Sequence, residues 1–466
     1  MNQLEQRASN ESGALTDAAA FGFLPTQSGV ENLKALQAAL DHGGTIIVGK
    51  PGTYKLAGTV FIGDNTSLVF AAGVTLMKVA EIKVFTHVIL NKGAMTRTFN
   101  HNISIIGLHL KVNDVDKWMD EIYGLRGHVS FFYVKDLKIE RFRCTDLAKG
   151  QFCIQICTFE DVLIDDVIIK GRKDGIHFGN GKRFRVSNGV FQTGDDAIAL
   201  SAGDWITGNP EFGDLDGGLI ENCYELPTER FEGAFAKIVS SAWVDWKPGL
   251  PVRHGDAVVS EGKIYRVMAQ VDGKIYTSLT RPTFAEGTKE LDGFTWQMHQ
   301  VGAFYTAGVR NVVFRDIYLY STRVPFQIMS YDCDYAHSYY RGAPMPTQGE
   351  IALENINVLS DHKHALVEVT TPCDILTIRN TIFRDNPIVF DQTSDYDSYP
   401  PSHLTLANCV FKADGKFTLV KNSCKDKKII LKTACSIEAG RDFSASVDPG
   451  PGTIVVSSDL SGLNNI

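Results

Sequence analysis

No run of ~18 apolar residues occurs in this chain, so no segment reads as a membrane-spanning helix. Basic residues are the minority. Lys and Arg number 46 against 54 Asp and Glu, giving a net charge of −8 and a pI near 5.9. Acidic and basic residues are interspersed, and no basic patch stands out as the footprint of a nucleic-acid surface. The first residues, MNQLEQRASNESGALTD, contain no apolar h-region. No secretory signal is read there, which leaves a cytoplasmic site or a secreted or particle-associated one with its leader trimmed. Phosphate-binding loops, dinucleotide fingerprints, HExxH and zinc spacings are missing, as is a nucleophile elbow. The expectation is chemistry without a cofactor. The nine cysteines, Cys144, Cys153, Cys157, Cys223, Cys333, Cys373, Cys409, Cys424 and Cys435, form no framework and are odd in number. Buried thiols in a reducing compartment are expected. Cys153 and Cys157, four apart, should face one side of a strand as small core residues; a metal site is the other reading.

What the chain does have is a degenerate repeat. Apolar–variable–apolar segments, often with Asn or Asp inside, begin at 139, 164, 186, 220, 314, 353, 378 and 406. Their spacings are 25, 22, 34, 94, 39, 25 and 28 residues. Short intervals fit one coil of a solenoid, and long ones mark loops or insertions. The units are brief, β-branched and alternating, so they are strands. The fold class expected is all-β, a right-handed parallel β-helix; a β-sandwich is the competing reading. Asp195 and Asp196 follow Asp174 by 21 and 22 residues, about one such period. Neighbouring coils lie ~4.8 Å apart, so these carboxyls would crowd together and repulsion would raise at least one pKa. A protonated acid beside ionised carboxylates is what glycosidic hydrolysis requires.

Four parts are expected along the chain. Residues 1–16 read as a flexible leader and 17–241 as the first part of the β-helix. An inserted β-module covers 242–302, and 303–466 hold the remaining coils and a strand-like tail. A short helix from Ser28 or Glu31 through Ala39 should cap the first coil, with Gly44-Thr45-Ile46-Ile47-Val48 and Gly52-Thr53-Tyr54-Lys55-Leu56 as strands. Asp17-Ala18-Ala19-Ala20-Phe21-Gly22, that helix and these strands resemble the start of pectate-lyase-superfamily β-helices, viral tailspikes among them. The module resembles small modules appended to chitinases and tail-associated proteins. Its Trp243, Trp246, Tyr276 and Trp296 either stack on sugars or form its core.

The segment 172–200, with Asp174 and Gly194-Asp195-Asp196, resembles the family 28 glycoside hydrolases, the polygalacturonase group. That resemblance implies Asp195 as general acid, with Asp174 and Asp196 positioning and deprotonating water. It also implies inversion, with carboxyl groups ~6.5–9.5 Å apart. The chain departs from the family's pattern. Arg172-Lys173 replaces Asn-Thr, no histidine occurs at 232–241, and Gln327 and Met329 replace the Arg and Lys that grip substrate carboxylates. Lys237, one coil on, either replaces that charge or is a solvated lysine. His177 either lines the cleft or packs in a coil, at a strand position that alternates with Asp174 in facing. Gln327, Tyr339, Tyr340 and Arg341 are candidate substrate contacts, with an oligomer contact as the other reading of 330–344. Trp118, Arg126 and His128 form a further possible subsite. The expected partner is a carbohydrate, with no nucleic acid or membrane, and a homotrimer is one assembly considered. Two alternatives stand beside the hydrolase. One is a β-helix lyase with Ca²⁺ on the acids and Arg172 or Lys173 as base; the other is a tailspike-like binding or structural protein.

Overall fold

The structure is a computed structural model. It describes residues 15–458 except 118–120, 204–207, 230–231, 334–335, 347, 362, 392–395, 397–398, 412–415 and 438–443. In it, 28 strands join one wound sheet. Its pairings are parallel, as between Val129–Leu147 and Ile154–Gly171, and the chain is a right-handed parallel β-helix. The eight repeat positions form one continuous row. Ile139 pairs with Ile164, then Val186, Ile220, Phe314, Leu353, Ile378 and Leu406 follow rung by rung. Every interval, including those of 34 and 94 residues, is therefore one coil. All eight side chains lie in the same buried core.

The Asn and Asp positions of the repeat make the corner between two faces. Arg141, Asp166, Asn188, Asn222, Asp316, Asn355, Asn380 and Asn408 all have φ between 50° and 57°. Asn and Asp tolerate this left-handed conformation better than other side chains. Stacked corners also bond to each other. Asn222 Nδ2 donates to Asn188 Oδ1 at 2.6 Å, and Asn408 Nδ2 to Asn380 Oδ1 at 3.0 Å.

The cap is an α-helix over Gly29–His42, three residues longer than expected. Ser28 and Glu31 form a reciprocal capping box that fixes its start. Leu36, Ala39 and Leu40 bury against the first coil and close the open end of the core. No helix among the described residues is long and apolar enough to cross a membrane.

Three expectations change. Leu15–Asp17, partly assigned to the leader, is a strand whose Leu15 pairs with Thr45; residues 1–14 lie outside the described residues. The strand-like tail is further coil, because Lys416–Asn422, Lys428–Ile437, Ser444–Asp448 and Thr453–Ser458 extend the parallel sheet. Cys153 packs inside the helix core whereas Cys157 packs in a separate cluster with Phe132 and Leu125. Cys153 precedes the strand Ile154–Gly171, so strand alternation does not relate the two.

The segment after Ala242 builds a five-stranded sheet of its own. It comprises Val244–Asp245, Ala257–Ser260, Lys263–Val267, Phe294–Val301 and Thr288–Leu291. Trp246 and Trp296 are its core with Val258 and Tyr265. Trp243 lies in the main core, its Nε1 donating to Phe304 O at 2.6 Å. The three tryptophans are structural, not sugar platforms.

The corner ladder predicts that Asn222→Ala destabilises the fold by about 1–2 kcal/mol, from a strained left-handed alanine and a lost hydrogen bond. Asn222→Gly should keep the backbone part of that stability. Thermal unfolding of the two variants beside the parent measures the difference.

Candidate active site

One face of the coil stacks Ile176–Phe178, Ile198–Ser201, Ala236–Val239 and Phe326–Met329. Just ahead of these strands the chain bends outward. The register there puts Asp174 over Asp196, since Gly175 N donates to Asp196 O at 2.9 Å. The same 22-residue offset puts Lys173 over Asp195. Side chains of two coils, joined by Lys237 from the third, therefore meet at one spot.

Lys173 Nζ lies 3.2 Å from Asp174 Oδ1 and also bonds Asp195 Oδ2. Lys237 Nζ lies 3.0 Å from Asp196 Oδ2, and Ala234 N donates to Asp196 Oδ1 at 2.9 Å. His177 Nδ1 is 3.2 Å from Asp174 Oδ2, with its Nε2 3.0 Å from Asn209 Oδ1. Its ring stacks on Phe152 at 4.2 Å. Gly233, at φ +82°, must be glycine: a Cβ there would stand 2.6 Å from Asp196 Oδ1. Arg323, itself buried on Glu225, donates from Nη1 to the carbonyls of Asp195 at 2.9 Å and Glu232 at 2.8 Å. It fixes the loop that carries the acids.

Three carboxyls thus face two ammonium groups, an excess of one negative charge in a largely buried place. Burial, opposed by Lys237 but reinforced by Asp195 and Asp174, pushes Asp196 up to about 6. Burial acts the same way on Asp174, but Lys173, His177 and Lys237 overcome it and hold that carboxyl well below the usual range. Lys173 is raised above the ordinary lysine value: burial opposes this, and Asp174 and Asp195 outweigh it. Accessibility separates the acids further. The Asp195 side chain is 20% exposed, against 4% for Asp174 and 5% for Asp196. Asp195 is the most accessible of the three.

One oxygen from each acid lies within 4.8 Å of the others. These nearest oxygens are closer than the ~6.5–9.5 Å between the carboxyl groups of an inverting pair, and Lys173 is bonded to both Asp174 and Asp195. A divalent cation fits this donor set poorly, since Lys173 and Lys237 already stand against the same oxygens.

The other candidates distribute as follows. His177 does not alternate with Asp174: Asp174 precedes the strand, and the two side chains meet. His177 is buried and orients the acid. Lys237 is not a solvated lysine but an ion-pair partner. Gln327 sits on the next rung beside Lys237 and bonds Glu368. Tyr339 is buried among Ala242, Ala343 and Tyr396 and is part of the lining of a cavity away from the acids. Tyr340 and Arg341 line a different cavity from the acids. Arg126 and His128 are buried, Arg126 stacking 4.1 Å over Phe152; Trp118 lies outside the described residues. The bridging role of Lys173 was missed, although its offset from Asp195 is the one that stacks Asp174 on Asp196. Arg323, Asn209 and Gly233 had no such signal, because loops of unequal length separate them from the acids.

No family model matches the chain, and no curated protein matches it. Among solved structures it is similar to the N-terminal fragment of bacteriophage Phi29 gene product 12. The two are 10% identical, with 96% of this chain and 74% of that one covered at a TM-score of 0.55. A family 28 exopolygalacturonase of Yersinia enterocolitica is 14% identical over 96% of this chain and 78% of its own, at 0.49. A hyperthermoactive exopolygalacturonase from Thermotoga maritima is 12% identical over 95% and 92%, at 0.45. At these identities the likeness is one of fold.

The raised carboxyl makes a stability prediction. Asp196 binds its proton more tightly in the folded state than the ordinary value of 3.8 allows. Its contribution is fully present below about pH 4 and lost as pH rises through about 6. At ~1.36 kcal/mol per unit this amounts to up to about 3 kcal/mol. Denaturant titrations of the parent beside Asp196→Asn should show the parent losing stability relative to the variant from pH 4 to 7, since the buried His87, His128 and His299, held below the ordinary histidine value, raise both chains alike over that range.

Proposed function

We propose that this protein is a glycoside hydrolase acting at Asp174, Asp195 and Asp196. The observation that carries the reading is the division of labour among the three acids. One is held ionised by Lys173 and His177, one takes a proton near pH 6, and one faces solvent. Glycoside hydrolysis asks for an acid and a carboxylate side by side.

In the proposed reaction Asp195 delivers a proton to the leaving glycosidic oxygen as the C–O bond breaks. The neighbouring Asp196 is the reservoir that reprotonates it. Asp174 takes a proton from the water that attacks the anomeric carbon. Inversion needs that water in the gap between Asp174 and Asp195, which Lys173 fills. The incoming sugar therefore displaces the Lys173 ammonium. The same observation disfavours a lyase: a lysine raised by two acid partners is a poor base at neutral pH. It also favours a second reading, in which the paired acids hold a glycan without cutting it.

A reducing-sugar screen of polysaccharides tests cleavage. Asp195→Asn, still folded, should keep less than about a tenth of the parent's kcat, since a general acid supplies about 10²–10⁴-fold. A variant that exceeds that fraction removes Asp195 from the role. Activity should fall as pH rises through about 6, as Asp196 loses its proton. Products absorbing in the near ultraviolet, formed only with Ca²⁺, would mark a lyase instead.

Substrate charge follows from Gln327 and Met329. Lys173 and Lys237 are engaged with the acids, and no arginine fork stands at these two positions to grip a uronate. Neutral glycans are the expected substrates. De-esterified polygalacturonate should be turned over with a kcat/KM below that of the best neutral glycan by roughly 10² or more. A polygalacturonate value of roughly 10⁴ M⁻¹s⁻¹ or above would overturn the assignment.

A further inference from the structure

A cavity of about 530 Å³ lies where the inserted sheet meets the coil. One wall comes from the insertion, with Val252 and the exposed Ile275; the other comes from the loop after Phe326–Met329, with Asp332, Tyr340 and Arg341. The two walls are cross-linked. Asp256 of the insertion, buried, accepts from Arg253 N at 2.8 Å and pairs with His337 of the loop. Arg253 pairs with Asp332, and Tyr340 Oη donates to Pro251 O at 2.6 Å. The cavity is a built feature, and without the insertion it would not exist.

Its position ties it to the acids. Lys237 Nζ, bonded to Asp196, lies 6.0 Å from the centre of the Tyr331 ring. The next residue, Asp332, is already cavity wall. Tyr331 therefore joins the two places along the chain, with Lys237 at one side and the cavity wall at the next residue. The lining suits a pyranose: Tyr340 and the exposed Ile275 present apolar surface to a ring face, and the Asp332 carboxylate and Arg341 guanidinium lie at the same cavity for a sugar's hydroxyls. Two arginines and two aspartates balance in charge, which favours a neutral unit.

We infer that this seam cavity holds a distal sugar of the glycan bound at Asp195, and that the insertion serves as the wall of a remote subsite. The inference rests on the reading of the acids as a glycan site. It makes substrate length, not only linkage, a determinant of recognition.

The test uses the full chain carrying Asp195→Asn and calorimetric titration with disaccharides and hexasaccharides of the cello-, xylo-, manno- and galacto- series. The hexasaccharide of the recognised series should bind more tightly than its disaccharide. Arg341→Ala and Ile275→Asp, both surface changes, should each remove roughly tenfold of that advantage. An advantage that persists in both variants, or no binding by any series, overturns the inference. The cleavage proposal fails separately. If the parent chain releases no reducing ends but the length advantage depends on Arg341 and Ile275, the subsite stands and hydrolysis does not. If it cleaves with length dependence untouched by either change, hydrolysis stands and the subsite does not.

Discussion

The parallel backbone ladder between coils is the constraint from which the rest follows. In the paired strands, N–H groups bond carbonyls of the adjacent coil, so a residue's place on one coil fixes what stands above and below it. The ladder holds through coils of 22 and of 94 residues alike, because only the paired strands must match. Extra chain is expelled at the corners as loops or, once, as a whole sheet. Stacked left-handed corners keep the faces aligned, and Asn side chains bridge neighbouring corners at Asn188–Asn222 and Asn380–Asn408.

The acid cluster is a consequence of that register. Burying three carboxyls together would be prohibitive without compensation. Lys173 and Lys237 arrive by the same stacking rule, one beside the acids in sequence and one a coil further on. Their two charges against three leave a site that takes up a proton readily while keeping Asp174 ionised. Arg323 and Gly233 then set where the Asp195–Asp196 backbone sits. Closeness of the acids and the plugging of their gap by Lys173 are two sides of one electrostatic balance. On the proposed reading, a substrate enters by replacing a contact the protein makes with itself.

The insertion shows how a solenoid gains a concave surface. A flat sheet face offers little enclosure, but a second sheet erected on one corner creates a seam. Ion pairs between Arg253, Asp256, Asp332 and His337 lock the two parts. The insertion's tryptophans, which resemble sugar platforms on paper, are consumed by its small core. The concave surface the insertion adds is the seam.

Much of the fold was legible from the sequence. Eight repeat positions fell on one continuous row because apolar periodicity and Asn corners are local signals that every coil must carry. Ser28 and Glu31 announced the cap helix for the same reason, as a capping box is spelled out within four residues. The pairing of Asp174 with Asp196 was readable because the coil between them has no loop, so sequence offset equals spatial register. Where loops intervene that equality is lost. Arg323 on Asp195, Asn209 on His177 and the burial of Tyr339 could not be counted off, and His177 was assigned the wrong facing because the chain bends before its strand. The sequence by itself determined the coil, its corners and which acids stack. The tertiary structure alone decided which acid is exposed, which holds its proton more tightly and which cations sit between them, since charge balance and accessibility depend on groups that loops bring from other coils.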